Sequence, residues 1–304
     1  MSLVIIGSVA FDAIETPFGK TDKIVGGAAT YASLAASYFY KNVKIVGVVG
    51  EDFLQEDIKN FNDHGIDTEG LQIKKGEKSF FWSGKYHNDM NSRDTLITEL
   101  NVLGDFDPII PASYQDCQFL MLGNLTPQVQ QTVINRLDKR PELIVLDTMN
   151  FWMDIALQDL LSVIKNVDVL TINDAEARQL SGEYSLVKAA KKILAMGPKY
   201  LIIKKGEHGA LLFHEDLIFS APALPLADVF DPTGAGDTFA GGFIGYLAQV
   251  GTINFNNMKN AIIFGSALAS FCVEKFGAER IKNLSQEEIQ ARVQQFVRLS
   301  SFAI

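Results

Sequence analysis

Residues 228–251 read DVFDPTGAGDTFAGGFIGYLAQVG. Gly234, Ala235 and Gly236 set three small residues in a row, so successive backbone N–H groups can converge there without obstruction. The segment that follows, TFAGGFIGYLAQ, has helical spacing with small residues at its start. A glycine-rich turn feeding a helix N-terminus suits an anion, because unpaired N–H groups and the helix dipole both favour negative charge. Asp237 enters at the same turn, and its carboxylate can face the space that the N–H groups face. A hydroxyl that receives a phosphoryl group needs such a base beside an anion hole. The other reading makes Asp237 only a helix cap, a role aspartate also favours. The loop follows neither the GxxxxGK[ST] pattern nor a GxGxxG after the first strand.

Outward from this loop, short β-branched runs alternate with helix-like segments. LVIIGSVAFD is followed by ATYASLAASYF, VKIVGVVG by FLQEDIKNFNDHG, QFLMLGN by TPQVQQTVINRL, and LIVLDTMN by MDIALQDLLSVIKN; DVLTIND, SLVKAAKKILAMG and YLIIKKG complete the series. This rhythm predicts an α/β fold, a doubly wound, mostly parallel sheet flanked by helices on both faces. Two stretches, about 12–25 and 72–100, instead alternate polar and apolar residues. They form either a small β-sheet lid over a site or edge strands of the main sheet, and periodicity alone leaves both open. No repeat, low-complexity tract or linker divides the chain, so one domain over residues 1–304 is expected.

Composition bounds the function. With 47% apolar and 21% charged residues the chain can bury a sizeable core. A formal charge of -9 and a pI near 5.0 argue against nucleic acid as a partner, which would need a basic stripe. No apolar stretch approaches the ~20 residues of a membrane span, and MSLVIIGSVAFD lacks the basic start of a signal peptide; the cytoplasm is the expected location. Cys117 and Cys272 stand in apolar settings and read as buried thiols, and the four histidines share no zinc-like spacing. No nucleophile elbow of the hydrolase type is present.

DPTGAGDTFAGGF resembles the C-terminal signature of the ribokinase (PfkB) family of carbohydrate and nucleoside kinases, and VGGAATYASLAAS at 25–37 resembles its paired-glycine signature at the first long helix. From Leu3 to about Leu284 the order of elements follows that family. The resemblance implies an ATP-dependent kinase with Asp237 as catalytic base and the N–H groups of Gly234, Ala235 and Gly236 as anion hole. NDAE, residues 173–176, resembles the family's N-x-x-E, which implies Asn173 near the nucleotide phosphates and Glu176 organising magnesium through water; the same four residues read as a helix capping box, and the two roles are compatible. KKGEHGA implies nucleotide contacts for Lys204, Gly206 and Gly209, with Ser266 beside the adenine. The same spacing also reads as an ordinary charged hairpin. Asp231 and Thr233, with carbonyls near Val273 and of residues 276–278, resemble a monovalent-cation site and imply potassium activation.

For the acceptor, the resemblance implies Asp12 gripping hydroxyls and Gly26 and Gly27 admitting the substrate to the backbone. Asp147 and Asn150, in DTMNFW, are expected near the phosphates or the metal. Tyr31 stands where many sugar kinases of the family have asparagine, and GNLTP, with Asn124, replaces a glutamate. Fewer charged contacts and more aromatic surface, including Phe80, Phe81 and Trp82, keep a nucleoside open beside a sugar. A dinucleotide-binding enzyme lacks its glycine fingerprint here, and a silent sugar-binding protein would not require Asp237 within an intact loop. Exposed strand edges on the lid make a homodimer through it an expectation.

Overall fold

The computed structural model describes residues 1–301. In chain order the elements are β1 (Leu3–Ile6), β2 (Ala10–Thr16), β3 (Gly19–Lys20), β4 (Ile24–Gly26), α1 (Ala28–Ser37), β5 (Val43–Gly50), α2 (Gln55–Asp63), β6 (Asp67–Lys74), β7 (Phe80–Tyr86), β8 (Arg93–Glu99), β9 (Phe119–Leu122), α3 (Pro127–Arg136) and β10 (Leu143–Asp147). There follow α4 (Asn150–Ile155), α5 (Leu157–Ile164), β11 (Val169–Asn173), α6 (Asp174–Ser181), α7 (Leu186–Leu194), β12 (Tyr200–Lys204), β13 (Ala210–His214), β14 (Leu217–Ala221), α8 (Ala235–Val250), α9 (Phe255–Cys272) and α10 (Gln286–Ser300).

The large sheet has nine strands in the order β14-β13-β12-β11-β10-β9-β1-β5-β6, parallel from β12 through β6, with β13 and β14 added antiparallel. β1 (LVII) and β9 (FLML), at its middle, are buried on both faces and wholly apolar: Leu3 and Ile5 pack with residues of α1, α8 and α9, while Val4 and Ile6 pack with residues of α3, α5 and α7. The small sheet joins β3, β2, β7 and β8, with β4 also paired to β2.

Three local expectations change. LVIIGSVAFD is not one strand: Gly7 and Ser8 interrupt it, β1 stays in the large sheet and β2, carrying Asp12, crosses to the small one. Residues 72–74 belong to β6 at the edge of the large sheet, so the second stretch of the small sheet begins at Phe80. The run MDIALQDLLSVIKN is broken into α4 and α5 at Ala156, whose φ of -142° is not helical.

Strand order reverses between β9 and β1, and in open α/β sheets ligands bind at such a point, outside the carboxyl ends of the strands. Helix α8 reaches this edge because it lies almost in contact with α1. A Cβ on Gly241 would stand 2.1 Å from the Ala32 carbonyl oxygen, and one on Gly245 would stand 2.7 Å from the Ala36 Cα. We therefore expect Gly241→Ala to push the two helices apart, to cost roughly 1–3 kcal/mol of stability and to lower the thermal melting midpoint measurably. An unchanged midpoint would show that the contact is looser than this.

Candidate active site

The carboxyl ends of successive strands and the N-terminus of α8 meet along one edge of the large sheet. β10 ends on Asp147, β11 on Asn173 and β12 on Lys204. Gly234 precedes α8 with φ 74°, and a Cβ there would collide with the Tyr31 ring at 2.5 Å, so glycine is required by both conformation and space. The Ala235 N–H donates to the Pro232 carbonyl (3.2 Å), while among the described residues those of Gly234 and Gly236 donate to no protein group. The N–H groups left free at this turn are thus those of Gly234 and Gly236, while the Ala235 N–H closes the turn.

Asp237 stands in the first turn of α8. Burial raises its pKa to about 7, with the negative charge of Asp147 adding to the rise and Lys204 and Arg93 opposing it. That range suits a group that must take a proton near neutrality. The Lys204 ammonium forms a 2.8 Å ion pair with Asp147 Oδ1, which also accepts from the Thr171 hydroxyl (2.8 Å). The same ammonium lies beside the anion loop, 3.3 Å from where a Cβ on Gly236 would be. Burial lowers the Lys204 pKa, but Asp147, Glu176 and Asp237 outweigh it and the net shift is upward, which keeps the lysine charged.

Asn173 and Glu176 form a reciprocal cap on α6: Asn173 Oδ1 accepts from the Glu176 N–H (2.8 Å), and Glu176 Oε2 accepts from the Asn173 N–H (2.7 Å). Burial pushes the Glu176 carboxyl up to about 7 despite the nearby Lys204 charge. Gly206 and Gly209 shape a tight turn after β12, and Asn91, from the β7–β8 hairpin, approaches it so closely that a Cβ on Gly206 would be 2.6 Å from its Oδ1. Ser266 is a partly buried residue of α9. Asn150 opens α4 one turn beyond Asp147.

At the switch point, Asp12 is buried and its carboxylate lies over Gly26, where a Cβ would be 1.9 Å from Oδ2, and it accepts from the Gly27 N–H. The paired glycines thus seat this carboxylate. Burial, then the charges of Asp231 and Asp237, raise its pKa to about 7. Tyr31 is 1% exposed: its ring supports Gly234 from beneath and its hydroxyl has no hydrogen-bond partner among the described residues. Its ring faces are therefore spent on packing. The Asn124 amide accepts from Trp152 Nε1 (2.8 Å) and approaches Met149 Sδ (3.1 Å). Asp231 is wholly buried, accepting from the Thr233 N–H and the Gly277 N–H, both at 2.8 Å. Among the described residues no cation lies within ion-pair distance of it, so its charge is offset only by these two N–H donors.

Arg93 and Trp82 escaped the sequence reading as site residues with roles of their own. Arg93 is the one arginine in the segment 72–100, and β7–β8 pairing sets it opposite Tyr86, whose hydroxyl accepts from Thr233 Oγ1 (3.2 Å) in the anion loop.

Because Asp147 raises the Asp237 pKa and also neutralises Lys204, replacing it acts on Asp237 in one direction. The acid limb of kcat/KM is expected near pH 7 in the wild type, since the base works only when ionised, and to move to lower pH in Asp147→Asn. A pH-rate profile with an unmoved limb would remove Asp237 as the titrating group.

A cytidine kinase of Thermococcus kodakarensis is 31% identical over 248 residues, covering 80% of this chain and 87% of that protein. A putative ribokinase II from E. coli, solved with ATP and Mg2+, superposes with a TM-score of 0.79 at 19% identity over 97% of this chain and 99% of that one. A nucleoside kinase of Burkholderia thailandensis, solved with inosine, gives 0.77 at 19% identity over 96% and 97%. Residues 2–283 match the pfkB family carbohydrate kinase, and the chain belongs to that family.

Proposed function

We propose that the protein transfers the γ-phosphoryl group of ATP to the primary hydroxyl of a ribonucleoside. The observation that carries phosphoryl transfer is the meeting, at the N-terminus of α8, of unpaired N–H groups, a charged lysine and a carboxyl group titrating near neutrality. Asp237 removes the acceptor's proton, Gly234 and Gly236 hold the charge that develops on the transferred group, and Lys204 fixes a phosphate oxygen. Glu176 would hold the waters of magnesium bound with the nucleotide, which would supply neutralisation of phosphate charge, and Asn173 would face the phosphates. Gly206 and Gly209 leave room for the nucleotide, Ser266 borders the adenine, and Asp231 with Thr233 holds potassium. The small sheet acts as a lid, and the reaction belongs in the cytoplasm.

A nucleoside is favoured over a free sugar by Trp82. It pairs in register with Asp12, so the two side chains share the face of the small sheet that Asp12 turns to the cleft. Its ring lies against Gly84, where a Cβ would be 2.2 Å from it, and its Nε1 donates to Thr95 Oγ1 (3.3 Å), which holds the ring in place. Asp12 accepts from a vicinal pair of ribose hydroxyls while the base stacks on Trp82, leaving the primary hydroxyl toward Asp237. The 31% identity to a cytidine kinase supports the same reading. A free pentose is the second reading, supported by the likeness to the ribokinase fold.

The test is ADP release from ATP and magnesium across nucleosides, pentoses, hexoses and cyclitols, with and without potassium. Nucleosides should lead and potassium should raise turnover. Asp237→Asn should lose about 10³-fold or more in kcat while still binding ATP, and Trp82→Ala should raise the nucleoside KM by about tenfold with little change in kcat. A free sugar leading the panel would sink the nucleoside assignment.

The free edge of β8, with Leu96 and Ile97 exposed, is the surface we assign to a homodimer. Light scattering should give twice the chain mass, and a Leu96→Lys, Ile97→Lys double variant half of that. A wild-type monomer would reject it.

A further inference from the structure

The cleft holds more negative charge than its one lysine offsets. Asp12, Asp147, Glu176, Asp231 and Asp237 act on one another across it, and the Lys204 ammonium is already paired with Asp147. A nucleotide brings further negative charge, of which magnesium offsets only part. During transfer, charge spreads over the three equatorial oxygens of the moving phosphoryl group, and a cation aimed at them lowers the barrier.

The small sheet carries a cation suited to this. Arg93 has no carboxylate oxygen within ion-pair distance among the described residues. It lies opposite Tyr86 in the β7–β8 ladder, its charge acts on the Tyr86 hydroxyl, and that hydroxyl accepts from Thr233 in the anion loop. Its guanidinium carbon is 5.7 Å from the centroid of the Trp82 ring. Beyond it, the hairpin tip reaches the Gly206 turn through Asn91. The hairpin therefore spans from the anion loop to the nucleotide turn, with Arg93 between the two contacts and its charge felt by both Asp237 and Glu176.

We infer that Arg93 is a catalytic residue delivered by the small sheet: its guanidinium binds the phosphoryl group in transit, so that transfer is fast only while this hairpin covers the cleft. No bond to Arg93 forms or breaks; it donates hydrogen bonds to oxygens whose negative charge grows as the phosphoryl group passes from ADP to the acceptor oxygen. Before the nucleotide arrives, Tyr86 and Trp82 hold the side chain in place.

This inference rests on the kinase reading, and wild-type turnover, measured first, tests that reading separately. Arg93→Met and Arg93→Lys in the full chain are then compared for kcat, acceptor KM and affinity for MgADP with and without aluminium fluoride, a mimic of the moving phosphoryl group. Arg93→Met should lower kcat about 10²-fold, leave KM within about threefold, and abolish the tightening by aluminium fluoride while MgADP alone binds as before; Arg93→Lys should recover part of both. A kcat within about twofold of wild type, a loss confined to KM, or intact tightening by aluminium fluoride overturns the assignment. So does a loss of kcat that Tyr86→Phe reproduces together with a lowered melting temperature, since that would make Arg93 a packing residue.

Discussion

The cleft depends on how closely α8 lies against α1. Two glycines one helical turn apart, Gly241 and Gly245, leave no side chain between α8 and the backbone of Ala32 and Ala36. Only at that separation does the N-terminus of α8 meet the carboxyl ends of β10, β11 and β12. The same approach brings Tyr31 of α1 beneath Gly234, so the helix that begins beside the acceptor's glycines also supports the anion loop. The N-termini of α1 and α8 lie together at one end of this packed helix pair, and neither can shift without the other.

Charge is the second organising feature. Three carboxyl groups, Asp12, Glu176 and Asp237, are pushed up to about 7, in each case first by burial. A folded-state value above the unfolded one means the folded chain holds extra protons, so these groups favour folding at low pH and cease to as pH rises through about 7. The unliganded site is thus under electrostatic tension at the pH where it must work, and bound cations relieve it. This is a physical reason for a site made of acids to attract positive charge.

The small sheet couples to the anion loop at two points. Tyr86 meets Thr233, and Phe18, at the β2–β3 turn, stacks against Phe230 with ring centroids 4.9 Å apart. Any displacement of this sheet would therefore be transmitted to the loop before α8.

The alternation of short apolar runs with helical segments was enough to read the doubly wound sheet, because strands buried on both faces must be continuously apolar and their crossovers helical. The loop at 231–237 was legible for a similar reason: small residues, a helix and an aspartate in that order have few other uses. The pairing of Asn173 with Glu176 was legible too, since a capping box is a contact between near neighbours in the chain. What sequence left open were matters of distance between remote residues. Asp12 is six residues past the end of β1, yet it belongs to the other sheet. Tyr31, an aromatic beside the acceptor glycines, looked available for stacking, but the packing of α8 on α1 buries it. Trp82 and Arg93 sit in an alternating strand pair whose pattern fits a lid or an edge strand equally well. By itself the sequence determined most of the elements, the family and the glycine-rich loop before a helix, all of which are written in local order; only the tertiary structure decided which remote side chains share the cleft, because hairpin register and helix separation arise from packing between segments that no local pattern records.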